Sequence, residues 1–270
     1  MKRSLLLLVL AFLLAAALGC GGRSEGETGQ VDALALLMRS SEAMSALSGY
    51  RMSGTMEIGM GGTEAGGGSL RMQVAGEVDN TGEIPAQHIT VEMGTMTSEA
   101  YIVGGYYYQD VPGQGWIKMD VAQYRTQNMG MGMVDPQQWK SIAEAAEDIT
   151  VEEEAGGVAV ISLKLGEDFF RLSFQQYQES LSDEERERMR EWLDLMQGGM
   201  EGFSAEIRMW IGEEDHLVRR MQIDYRMENP QVGSLTGTMN VELSDYGAEI
   251  RVTLPEGAGN ASEFSPSSMN

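Results

Sequence analysis

Polar and apolar residues alternate along most of this chain, and helical spacing interrupts the alternation at only a few places. In "RMSGTMEIGM" (51–60), Met52, Met56, Ile58 and Met60 fall on one side and Arg51, Ser53, Thr55 and Glu57 on the other. A period of two predicts a strand with one face against a core. The pattern returns at 70–79, with Leu70, Met72, Val74 and Val78 opposed to Arg71, Gln73, Glu77 and Asp79, and at 87–93, with Ile89, Val91 and Met93. "SEAYIVGGYYYQD" reads as a hairpin turning at Gly104-Gly105, followed by a strand at "WIKM" (116–119). A second hairpin, "ITVEEEAGGVAVISLKL", puts Ala159, Ile161, Leu163 and Leu165 together. Three more strands follow: 203–211 (Ala205, Ile207, Met209, Ile211), 217–227 (Leu217, Arg219, Met221, Ile223, Tyr225, Met227) and 235–243 (Leu235, Met239, Val241, Leu243).

Helical spacing marks residues 31–47, where Leu34, Leu37, Met38, Ser41, Met44 and Leu47 form a stripe. Asp135, Pro136 and Gln138 form a helix start, followed by a face of Trp139, Ile142, Ala143 and Ala146. "EDFFRLSFQQYQESL" fits a helix better than a strand. Ser182 and Glu185 form a capping box for a helix over 183–197, with Met189, Trp192, Leu193 and Met196 as its stripe. The predicted class is α+β: a single large curved antiparallel sheet with one wet and one dry face. The helices must then cover the dry, concave face. No linker or fixed-period repeat divides residues 31–255, so one domain is expected.

The N-terminus places this domain outside the cytoplasm. Lys2 and Arg3 precede "LLLLVLAFLLAAAL", and Gly19 precedes Cys20, the single cysteine. This is the pattern of a lipoprotein signal (1–19) cleaved before Cys20, which then carries lipid. A transmembrane anchor is the competing reading, but the apolar run is at the short limit for a span. Residues 20–30 read as a flexible tether and 256–270 as a disordered tail. The expected location is a lipid anchorage on the cell membrane or outer membrane, facing away from the cytoplasm.

The net charge is −22, and −24 once Lys2 and Arg3 are removed. Phosphate binding needs a basic stripe, so nucleic acid is excluded as an expected partner. Catalysis is not expected. His88 falls on a strand's polar face and His216 in a turn, neither beside a nucleophile, and no GxSxG, HExxH or phosphate-loop motif occurs. No cofactor is expected, and the acidic runs lack calcium-loop spacing.

Methionine is the unusual feature, with 21 in 270 residues. "NMGMGM" places Met129, Met131 and Met133 at alternate positions, and thioethers suit Cu(I). Neither histidine is nearby, and the other methionines are spread through separate strands, so core filling outweighs a copper chaperone. Methionine also adapts to irregular apolar ligands. The expected lining of a ligand cavity is Met52, Met56, Ile58, Leu70, Met72, Val74, Ile89, Val91, Met93, Met209, Met221, Ile223, Met239 and Val241. An ordinary filled core fits each of these residues equally well, which keeps open a structural or interaction lipoprotein. Tyr106, Tyr107, Tyr108 and Trp116 suit either a half-wet cavity mouth or exposed strand faces.

An anchoring Cys, a tether, a helix and then "LSGYRMSGTMEI" resemble the opening of the LppX/LprA/LprF/LprG-type bacterial lipoproteins, which are similar in fold to LolA and LolB. "AYIVGGYYYQDVPGQGWIKMD" resembles the central segment of that family, and "LSDYGAEIRVTLPEGA" its close. The resemblance implies a half-barrel with helices in its mouth and an apolar cavity between them. It also implies an acylated lipid or glycolipid ligand, and an envelope protein or membrane as its destination. "GGTEAGGGS" and the methionine-rich faces depart from the mycobacterial members.

Overall fold

The computed structural model describes residues 25–61, 68–111, 115–121, 124, 136–154, 156–180, 183–188, 190, 202–229 and 233–263. The signal segment, Cys20, Met129, Met131 and Met133 lie outside the described residues, as does the stripe Met189, Trp192, Leu193 and Met196.

Twelve strands form one open, curved sheet. The first six are β1 (Gly49–Gly61), β2 (Gly68–Asp79), β3 (Ala86–Met93), β4 (Met96–Val103), β5 (Tyr106–Val111) and β6 (Gly115–Asp120). The rest are β7 (Asp148–Glu154), β8 (Val158–Leu165), β9 (Ser204–Gly212), β10 (Val218–Asn229), β11 (Gly233–Ser244) and the short β12 (Ser262–Glu263). Their order is β12-β6-β5-β4-β3-β2-β1-β11-β10-β9-β8-β7. Two meanders therefore meet where β11 pairs with β1, and every pairing is antiparallel except β12 with β6. The turn signals act as expected: Gly104 and Gly105 take φ 61° and 85°, and Gly156 and Gly157 take 100° and 77°.

Register fixes which residues share a face, because directly opposed residues project the same way. One row runs Val151, Ile161, Met209, Met221, Val241, Gly54, Val74, Val91 across eight strands. The opposite face is mostly polar over β1, β2, β10 and β11. There Arg51 pairs with Glu77 at 2.8 Å and Asp245 at 2.9 Å, and Thr238 donates to Asp224 at 2.7 Å. The two exposed ion pairs are worth little individually.

Helix α1 (Glu25–Ser45) and α2 (Trp139–Glu144), with a 3₁₀ turn at Pro136–Gln138, lie on the apolar face over the β7 end of the sheet. Ala33, Leu37 and Met44 of α1 and Trp139 of α2 pack with Ile161, Leu163, Ile207, Met209 and Ile211, all at 0–1% exposure. Ser41 Oγ donates to the Pro136 carbonyl at 2.7 Å, which ties the two helical segments together. Helix α3 (Glu167–Ser180) buries Phe170 and Phe174, and α4 spans Asp183–Arg188. Among the described residues, no helix is long and apolar enough to cross a membrane.

Three local expectations are corrected. Helix α1 starts at Glu25, so it takes in Glu25–Gln30 of the segment read as a tether. Gly26 and Gly29 suggested a linker, but the helical backbone runs through both. In β10 the register shifts between Val218 and Arg220. A bulge adds one residue and reverses the facing beyond it. Val218, not Leu217 or Arg219, is therefore the fully buried residue there, while Arg219 reaches Asp215 and the Tyr246 ring.

The third correction concerns the tail. Beyond β11 the Gly247 amide bonds the Gly49 carbonyl at 2.8 Å, Ile250 is buried, and β12 pairs with Ile117 and Lys118. Ala258 has 0% exposure, so the fold extends past residue 255 to Glu263.

Candidate functional site

The fourteen residues expected to line a cavity all share the apolar face, but the structure divides them. Met52, Met209, Met221, Ile223 and Val241 are buried core. Met209, Met221 and Ile223 belong to the cluster sealed by α1 and α2, so they line no opening. Met56, Ile58, Leu70, Met72, Val74, Ile89, Val91, Met93 and Met239 remain half-buried or exposed. These nine form a continuous band across β11, β1, β2 and β3, roughly 14 Å across and 20 Å long from strand spacing and rise.

The band lies between two separate buried clusters. On one side is the large core under α1 and α2. On the other, Ile102, Tyr107, Val121 and Tyr124 form a second, smaller core over β4–β6. The register puts both on the same face, through the row Tyr50, Val78, Gln87, Ile102, Tyr107, Met119. Tyr107 and Tyr124 stack with centroids 3.7 Å apart and planes 9° apart. Burial is the main cause that raises both phenols above their ordinary pKa.

The band carries no charge. The even-numbered positions of β1, from Tyr50 to Met60, and their partners on β2 and β11 are apolar residues, glycines and one tyrosine. The cations of these strands, Arg51 and Arg71, stand on the polar face with Glu57 and Glu77. At the open end, Met60 and Met96 are each 57% exposed and Leu70 is 36% exposed. Burial contributes about 25 cal/mol per Å² of apolar surface, so an exposed band of this kind leaves stabilisation unrealised until something covers it.

The aromatic cluster is split between faces. Tyr107 is buried on the apolar side, while Tyr101, Tyr108 and Trp116 alternate onto the other. His88 also lies on that side, stacked on Tyr101 at 4.3 Å, and Tyr101 packs edge-on to Trp116 at 5.7 Å. Tyr101 was not singled out by the sequence reading. Its signal was the register that opposes it to His88.

The sheet carries several cavities, among them these two. One of about 110 Å³ sits where the end of α1 meets Tyr50, Val78, Asn80 and Gln87. Asn80 Nδ2 donates to the Met44 carbonyl there at 3.3 Å. The other, about 690 Å³, is lined by Glu147, Lys164, Glu206, Asp224 and Thr238. Two of its carboxylates already accept bonds: Glu206 from Ser162 at 3.0 Å, Asp224 from Thr238 at 2.7 Å. Among the described residues, no group of three or more His, Cys, Asp or Glu side chains is arranged to hold a metal.

No curated protein matches the sequence. Two solved structures align over most of their own length. The crystal structure of a LolA superfamily protein from Nitrosomonas europaea aligns at 10% identity and a TM-score of 0.26, covering 83% of this chain and 95% of that one. The crystal structure of a beta-barrel-like protein of domain of unknown function DUF1849 from Brucella abortus aligns at 8% identity and a TM-score of 0.20, covering 73% and 98%. The model of the family of unknown function DUF6612 matches residues 32–263, which begins within α1 and ends at the last residue of β12, and the chain belongs to that family.

Proposed function

We propose that this protein is an exported lipoprotein, anchored through acylated Cys20, that holds an acylated lipid or glycolipid against the band between its two cores. It carries or presents that ligand to a membrane or an envelope protein partner, without catalysis. This is the role the LppX/LprG-type resemblance implies. One observation carries the reading. A single sheet face is sealed to 0–5% exposure at Leu163, Ile207 and Ile223, yet left half-open at Met56, Met72, Val74 and Val91. A purely structural domain gains by closing the whole face, since each buried methylene contributes about 0.8 kcal/mol. Methionine suits the open part because an unbranched, polarisable side chain reshapes around irregular apolar partners.

Native mass spectrometry of the protein purified from its own host tests the proposal. A co-purifying species released by organic extraction, and uptake of lipid from vesicles by the stripped protein, are the expected results. Protein that carries no lipid and acquires none overturns it in favour of a structural or interaction role.

A further inference from the structure

Three methionines of the band stand in one cross-strand row. Met56 of β1 is directly opposite Met239 of β11 on one side and directly opposite Met72 of β2 on the other. Directly opposed side chains start about 4.5–5.5 Å apart at Cβ. The outer two therefore start about 10 Å apart with Met56 between them, and a flexible thioether side chain on each flank can lean toward the centre. All three are half-buried, which leaves access from solvent.

The register neighbours of the row are apolar residues and glycines. One step along the strands are Val241, Gly54 and Val74; one step the other way are Gly237, Ile58 and Leu70. Glu57, Arg71 and Thr238, adjacent in sequence to the row, form a register row of their own on the polar face. The donor atoms at the three register positions are thioether sulfurs, and the phenol of Tyr225 lies over the neighbouring Gly237. Such a donor set disfavours zinc, calcium and manganese and suits a soft monovalent ion.

We propose that Met56, Met72 and Met239 form a three-thioether site for Cu(I) or Ag(I). The sequence weighed against copper because its methionines are dispersed over separate strands. The β11-β1-β2 pairing removes that objection for these three. The site does not depend on lipid binding, since the row is set by strand register whether or not a lipid is present.

The test is a Cu(I) titration of the full chain against a chromogenic chelator under anaerobic, reducing conditions. The wild type is compared with M56L/M72L/M239L and with M129L/M131L/M133L. The expected result is one Cu(I) per chain, with affinity reduced at least about tenfold in the first variant and unchanged in the second. Equal binding by the first variant and the wild type, or a wild type that cannot compete with the chelator, overturns the site. Loss in both variants means that the row alone does not make the site and also overturns it. Circular dichroism checks that the leucine variant folds. If it does not, methyl NMR of the wild type with Ag(I) decides: the Met56, Met72 and Met239 resonances move together, or the proposal fails. Absence of lipid in the extraction experiment leaves each of these readouts intact, so the two proposals fail separately.

Discussion

The ring of Tyr225 on β10 lies across Gly237, its direct partner on β11. A Cβ at position 237 would stand 2.2 Å from ring atoms Cε1 and Cζ. The glycine is a seat for the aromatic ring, as Gly76 is for the end of Met52, whose Cε lies 2.5 Å from where a Cβ would be. Gly237→Ala is expected to destabilise the fold by about 1–3 kcal/mol, the usual cost of overpacking. Urea denaturation measures the loss, and the same substitution in a Tyr225→Ala background should cost much less. An equal loss in both backgrounds would show that the ring is not the obstacle.

Met209 and Met72 share a sheet face but not an environment. Met209 has no exposure beneath α1, whereas Met72 is half-buried on the band. Met209→Ala is expected to cost about 2–5 kcal/mol, and Met72→Ala less than half as much. Similar losses in denaturation would mean that the band is as tightly packed as the core.

Tyr101 sets a pH dependence. Burial first, and Glu99 second, push its phenol up from 10.0 to about 12. The folded state thus holds the proton more tightly than the unfolded chain. The associated stability is complete below pH 10.0 and declines as pH rises toward about 12. Tyr101→Phe should flatten this part of the decline in urea midpoints. An unchanged pH profile would separate the tyrosine from the effect.

The C-terminal segment is expected to support the sheet. Truncation after Pro255 removes fully buried Ala258 and the pairing of Ser262 and Glu263 with β6. The melting temperature should fall, by about 2–4 °C for each kcal/mol lost in a chain of this size. An unchanged melting curve would show that the segment contributes nothing to stability.

The proposed anchoring has its own check. Cys20→Ala should move the protein from the membrane fraction to the soluble fraction in its host, because removal of the acyl chains removes the buried methylenes that hold it. Continued tight attachment would favour a spanning N-terminal segment.

The alternation of side chains decided most of this architecture locally. A period of two at Ala205, Ile207, Met209 and Ile211 states which residues face a core, and paired glycines at 104–105 and 156–157 supply the left-handed turns of two hairpins. The bulge at Val218–Arg220 escaped that reading, because one extra residue changes facing without leaving a mark in composition. Ala258 escaped it as well, since an alanine near the end of a polar segment becomes core only through what packs on it. Sequence also placed fourteen residues on a common face without dividing core from band. Only the tertiary structure did so, by laying α1 and α2 over the β7 end and leaving β1, β2 and β3 half-open. The alignment of Met239, Met56 and Met72 came the same way: side-chain period is local, whereas register between strands nearly two hundred positions apart is fixed only by pairing.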